Sequence, residues 1–203
     1  MVDEMNTTYK EEFKVFYVTY LLVLINVVVF LVMELAGGTQ NPYVLIFFGA
    51  KMNTLIDAGQ YWRLLTSMFI HIGFTHLLFN VYALIVLGKL AERLFGHGRF
   101  LLIYLFSGLA GSLISYLWGP ELSAGASGAI FGLLGAIIIY GCRKPAFWRT
   151  GLITNLAIVL GINLVFGVVF SGIDNFAHLG GLFGGAVSSA LLLFLQRQRQ
   201  NLQ

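Results

Sequence analysis

The stretch Ser123-Ala124-Gly125-Ala126-Ser127-Gly128-Ala129-Ile130-Phe131-Gly132 opens an apolar run that continues to Cys142. Ser127 lies just inside that run, between Gly125-Ala126 and Gly128. A serine there has two readings. It is a small residue that lets two membrane helices approach closely. Or it is a nucleophile at a helix start, where free backbone N–H groups can stabilise a developing oxyanion. The rest of the chain has to decide between them.

Charged residues make up 10% of the 203, against about 25% in a soluble domain. With 58% hydrophobic residues and a mean hydropathy of +0.84, the composition is that of an integral membrane protein. The single cysteine, Cys142, excludes an internal disulfide and reads as a small apolar residue near a helix end. Met1–Lys14 carries Asp3, Glu4, Glu11 and Glu12, unlike the basic start of a signal peptide.

Six apolar runs approach the ~20 residues a membrane span needs. They are Val15–Met33, His76–Gly88 (which can begin earlier), Phe100–Trp118, Ala126–Cys142, Gly151–Phe170 and Phe176–Leu195. The segment from Gly37 to Thr75 is too apolar for a solvated loop and too broken for a span. It is expected to fold at the membrane interface with short helices. His97 falls in a basic connection and reads as solvated; Trp62 and Arg63 read as interface anchors.

Ten of the twelve basic residues fall on one side of this arrangement: Lys10, Lys14, Lys89, Arg93, Arg99, Arg143, Lys144, Arg149, Arg197 and Arg199. Lys51 and Arg63 are alone on the other. The positive-inside rule then places both termini in the cytoplasm and requires an even number of spans. The expected organisation is an all-α six-transmembrane-helix bundle over 15–195, with cytoplasmic tails at 1–14 and 196–203.

Strongly polar side chains in spans are costly and usually face a bundle interior or a water-filled cavity. Here they cluster. His71, His76 and Asn80 gather at the start of span two, Ser127 starts span four, and Asp174, Asn175 and His178 start span six. All three spans begin on the extracytoplasmic side, so these groups share one depth. Span four is short, roughly 26 Å, so its serine end can lie below the membrane surface.

A serine needs a base, and His178 is the candidate. His76 and Asn80, four residues apart, share a helix face and can donate to an oxyanion. Asp174, one turn before His178, is a possible orienting group, but a Ser–His pair without an acid is the preferred reading. A helix-start acid favoured by the dipole is the plainer account of Asp174. Gly128 and Gly132, and Gly181 and Gly185, form two G-x-x-x-G surfaces suited to close helix packing. Phe131, one turn after Ser127, is placed to pack on the imidazole.

Together these residues resemble the rhomboid intramembrane serine proteases. The resemblance runs from about Tyr61 to Gly185. It rests on Trp62-Arg63, His71…His76-x-x-x-Asn80, Glu92-Arg93, Gly125-Ala126-Ser127-Gly128, and Ala177-His178-Leu179-Gly180-Gly181 with Gly185. It implies a rhomboid-like six-helix bundle and a Ser127–His178 dyad. The implied oxyanion hole uses His76, Asn80 and the Ser127 backbone. It further implies that Phe131, where relatives often have tyrosine, stacks on His178. Asn175 would line the cavity, and Glu92 and Arg93 would tie the first loop to nearby helices. His71 would serve the site or steady its entrance.

The implied activity is serine endopeptidase cleavage of transmembrane segments of membrane-protein substrates. The partners would be those substrates and the lipid bilayer. No metal, organic cofactor or nucleic acid is implied. The implied location is a bacterial cell membrane, with the site opening to the extracytoplasmic side. Two other readings stand beside it: a catalytically silent binder of membrane helices, and a small transporter using its histidines.

Overall fold

The computed structural model describes residues 15–144, 147, 149–169 and 172–201. The expected N-terminal tail over 1–14 lies outside the described residues, as does Phe170 at the end of the fifth run.

Helix α1 (Tyr17–Leu35) turns its apolar Leu21, Leu24, Val28 and Leu31 outward, and buries Leu22, Asn26, Phe30 and Met33. That outward face is suited to hydrocarbon rather than water. No side chain of its own caps its first turn. Instead Glu92, distant in sequence, accepts hydrogen bonds from the N–H groups of Val18 (3.1 Å) and Thr19 (2.9 Å) and from Thr19 Oγ1 (2.6 Å). Two of the donors every helix start leaves unpaired are thereby satisfied.

The Gly37–Thr75 segment contains the expected short helices: α2 (Pro42–Phe48), α3 (Asn53–Asp57) and α4 (Arg63–Thr66), followed by a 3-10 turn at Ser67–Phe69. Asn41 caps α2 by accepting from the Tyr43 N–H, and Pro42 supplies a fixed helical φ at its first position. Strand β1 (Lys51–Met52) pairs antiparallel with β2 (Leu122–Ser123), setting Lys51 opposite Ser123.

Arg63 corrects the expectation of an interface anchor. It is buried. Its Nη1 donates to the carbonyls of Ile46 (2.8 Å) and Ala50 (3.0 Å), its Nε to Gln60 Oε1 (2.8 Å), and its guanidinium covers the Trp62 ring. It ties the end of α2 to α4. Trp62 is half-exposed.

Helix α5 (Phe74–Phe95) runs seven residues past the expected end at Gly88, and α6 (His97–Trp118) starts three before Phe100. Gly96, at φ +78°, is the whole connection between them. Lys89 and Arg93 of that basic connection therefore lie in the last two turns of α5, and His97 and Arg99 in the first turn of α6. Hydropathy reports where lipid ends, not where backbone pairing ends. His97 is not simply solvated: its Nδ1 lies 2.6 Å from Glu92 Oε1, and its ring packs on Tyr17. Glu92 thus joins α1 to the α5–α6 turn, not the first loop to its neighbours.

Helix α7 (Ser127–Cys142) is the centre of the molecule. Every residue from Gly128 to Ile137 is buried, and it packs against α5, α6, α8 (Leu152–Val169) and α9 (Asn175–Asn201). A helix apolar on all sides is surrounded either by other helices or by lipid, and the burial of α7 shows that here it is surrounded by helices. Its Ala129, Leu133 and Ile137 meet Leu84 of α5 and Phe100, Ile103 and Tyr104 of α6 in the main core. Helix α9 continues to Asn201, so the tail expected from 196 is helical over most of its length. Among the described residues, α1, α5, α6 and α9 are long and apolar enough to cross a membrane. Helix α7 and the Leu152–Asn163 part of α8 are shorter apolar helices.

Candidate active site

Ser127 is the first residue of α7, with Ala126 at the N-cap. As the first helical residue its N–H has no intrahelical acceptor, and the positive end of the helix dipole surrounds it. The turn before it depends on Gly125, at φ +142°. A side chain there would be strained, and its Cβ would come within 2.8 Å of His76 Cε1. The turn is pinned from both sides. The Gly125 N–H donates to the Ser67 carbonyl (2.9 Å), and the Ala126 N–H donates to His71 Nε2 over a long 3.5 Å.

His178 stands in the first turn of α9. Its Nε2 is 2.9 Å from Ser127 Oγ, 51 residues away in sequence. The Phe131 ring stacks on the imidazole, 4.1 Å between centroids and 7° from parallel. One face of the imidazole is thus covered by an aromatic plane projected from the same helix as the serine. His178 is 8% exposed, so little room remains for its ring to turn away. Its Nδ1 has no partner among the described residues. Asp174 does not touch the ring: its carboxylate accepts from the Ala177 N–H (3.0 Å) and from Ser115 Oγ.

The approach of α7 and α9 is set by glycine. A Cβ on Gly181 would collide with the Gly128 carbonyl, and one on Gly185 with that of Gly132. On the other side of the contact, a Cβ on Gly128 would meet the Ala177 carbonyl at 3.3 Å. The two G-x-x-x-G surfaces expected from the sequence face each other backbone to backbone.

His76 is half-buried beside Gly125, its ring 5.3 Å from that of His71. Its Nδ1 accepts the Ile72 N–H (3.4 Å), which leaves Nε2 as the protonated nitrogen of a neutral ring. Asn80 is buried and spends one of its two Nδ2 donors on the His76 carbonyl (2.9 Å). Among the described residues its Oδ1 and that of Asn175 have no partner. His71, in the loop before α5, is fully buried. Burial, reinforced by His76 and opposed by the Phe69 backbone, pushes its pKa down to about 3. It is a neutral acceptor that holds the serine turn. Among the described residues, no three His, Cys, Asp or Glu side chains are grouped as a metal site requires.

Sequence reasoning missed Lys51, Ser67 and Ser115. Lys51 is buried against α6, and Ser67 and Ser115 hold the turns that lead to the two central residues. The one available signal was Lys51 itself, a lysine between apolar neighbours on the side nearly free of positive charge.

Apolar helices wrapped around a buried polar centre define an integral membrane protein. A family model described as the Rhomboid domain matches residues 58–194. The chain is 46% identical over 174 residues to rhomboid protease GluP of Bacillus subtilis, an alignment covering 86% of this chain and 34% of that protein. It is 45% identical over 168 residues to RHOMBOID-like protein 2 of Arabidopsis thaliana, covering 76% and 51%. With putative rhomboid protease YdcA of Bacillus subtilis the identity is 36% over 149 residues, covering 72% and 75%. The chain belongs to the rhomboid family. It spans about a third of GluP and half of the plant relative.

Proposed function

We propose that this protein is an intramembrane serine endopeptidase with Ser127 as nucleophile and His178 as general base and acid. The observation that carries the reading is the 2.9 Å approach of His178 Nε2 to Ser127 Oγ, with Phe131 stacked on the base. That separation is within reach for proton transfer.

In this reading Ser127 Oγ attacks a peptide carbonyl while His178 Nε2 takes its proton. The imidazolium then gives that proton to the leaving amine, and water hydrolyses the acyl-enzyme by the reverse route. The oxyanion is held by the Ser127 N–H, by His76 Nε2–H and by the remaining N–H of Asn80. Gly125, Gly128, Gly181 and Gly185 keep these parts at short range, and Asn175 lines the cavity. The substrate is a transmembrane segment that must unwind first, since a helical carbonyl is already hydrogen-bonded and covered.

The same proposal includes six spans over 15–195, cytoplasmic termini in a bacterial cell membrane, and a site open to the opposite side. The excess of basic residues on one side supports that orientation. The test is cleavage of a model transmembrane substrate in proteoliposomes. Ser127→Ala and His178→Ala are each expected to abolish it while leaving helicity intact; undiminished cleavage by either variant rejects the dyad.

A further inference from the structure

We propose that Lys51, Ser115 and Asp174 are positioning residues that set the approach of the His178 imidazole to Ser127. The inference rests on the dyad reading but concerns residues that touch neither member's reacting atom.

Lys51 is 1% exposed. A buried ammonium without partners is costly. Its Nζ donates to the carbonyls of Ser115 (3.1 Å) and Pro120, at the C-terminal end of α6, where the helix dipole favours a cation. Burial pushes its pKa down, and the negative charges of Asp174 and Glu121 oppose that shift. The ammonium is thus held at the end of α6, on the carbonyl of the residue whose hydroxyl meets the acid just before α9.

Ser115 carries the link onward. Its carbonyl takes the Lys51 ammonium, and its Oγ donates to Asp174 Oδ2. Asp174 Oδ1 accepts the Ala177 N–H at 3.0 Å, and the Asp174 carbonyl accepts the His178 N–H at 3.2 Å. Asp174 therefore closes the turn of α9 that bears the base. With both carboxylate oxygens occupied, it orients the imidazole through the backbone and not by touching the ring.

The backbone of Lys51 meets the segment that leads into Ser127. It pairs with Ser123, in the strand that precedes Gly125. Lys51 thus joins the segment entering Ser127 to the segment entering His178. A 2.9 Å contact between side chains on separate helices is steadied when the segments leading into both are tied together, and Lys51 adds such a tie to the glycine contact of α7 with α9. The reason this bears on rate is geometric: a misplacement of about 1 Å can cost on the order of a hundredfold.

The test uses the full chain in proteoliposomes. It compares the parent with Ser115→Ala, Lys51→Met, Asp174→Ala and Asp174→Asn, with Ser127→Ala as the blank. Three quantities are read: kcat and KM on a model transmembrane substrate, the rate constant for labelling by a fluorophosphonate, and the melting temperature. Asp174→Ala is expected to lower kcat and the labelling rate together by about ten- to a hundredfold, with KM within about twofold. Asp174→Asn keeps an oxygen for the Ala177 N–H and is expected to recover most of that loss. Ser115→Ala and Lys51→Met are expected to lose about three- to tenfold in both rates.

A purely stabilising role would lower melting temperatures yet leave both rates at the parent value well below the melting point, and that result overturns the proposal. If Lys51→Met fails to fold, Ser115→Ala and Asp174→Ala still decide. Should Ser127→Ala itself cleave and label, the dyad reading fails. Should only the three positioning sites prove silent, this inference fails alone.

Discussion

The Gly128 carbonyl occupies the space that a side chain on Gly181 would need. The helix bearing the serine and the helix bearing the histidine therefore touch through their backbones, and the distance between the two functional groups is fixed by the absence of two Cβ atoms. The same relation recurs one turn on between Gly132 and Gly185.

Gly185→Val is the test of that contact. The added side chain meets backbone, which cannot give way as a flexible side chain would. The expected result is a stability loss of about 1–3 kcal/mol or more, with reduced turnover. Thermal melting and substrate cleavage read it; normal values for both would argue against close packing at this point.

Asn80→Ala probes the proposed oxyanion hole. Loss of one donor is expected to lower kcat by about a hundredfold or more with little change in melting temperature. An unchanged rate removes Asn80 from that role.

Glu92→Gln addresses the far end of the bundle. It replaces a carboxylate that accepts from Val18, Thr19 and His97 with an amide that has one acceptor oxygen. Donors left unpaired in this buried place are expected to cost about 1–3 kcal/mol, read as a lower melting temperature. Labelling of Ser127 well below the melting point is expected to be unaffected, since the change lies at the opposite end of α5.

His71 gives a pH dependence whose sign follows from its depressed pKa. In the unfolded chain the imidazole titrates near its ordinary value, about 6.5. In the folded protein it stays neutral down to about pH 3. Above pH 6.5 neither state binds the proton and the group contributes no slope. Between about 6.5 and 3 the unfolded state binds more protons, so stability falls as pH falls. His71→Gln is expected to flatten that part of the melting-temperature profile. An identical slope in parent and variant would show that other groups set the acid limit.

Much of the centre was legible because polarity in lipid is costly. Ser127, His178, His76 and Asn80 stand out as polar residues at the starts of three expected spans, and the expected topology with the charge distribution assigns them a common depth. The glycine spacing foretold the contact between α7 and α9. The fates of Lys51 and Arg63 were not legible. Counting basic residues by side treats each as solvated, whereas these two are buried on carbonyl oxygens supplied by distant turns. Glu92 was recognised as structural, but its partners on α1 depend on tertiary placement that no local pattern encodes. Helix ends were misjudged for a related reason: α5 and α9 continue beyond their apolar stretches.

The central claim is that Ser127 is activated by His178, and fluorophosphonate labelling of the purified protein followed by peptide mapping tests it most directly. A single adduct on Ser127 in the parent, absent from Ser127→Ala and strongly slowed in His178→Ala, is the expected result. An adduct elsewhere, or a labelling rate indifferent to His178, would contradict the account.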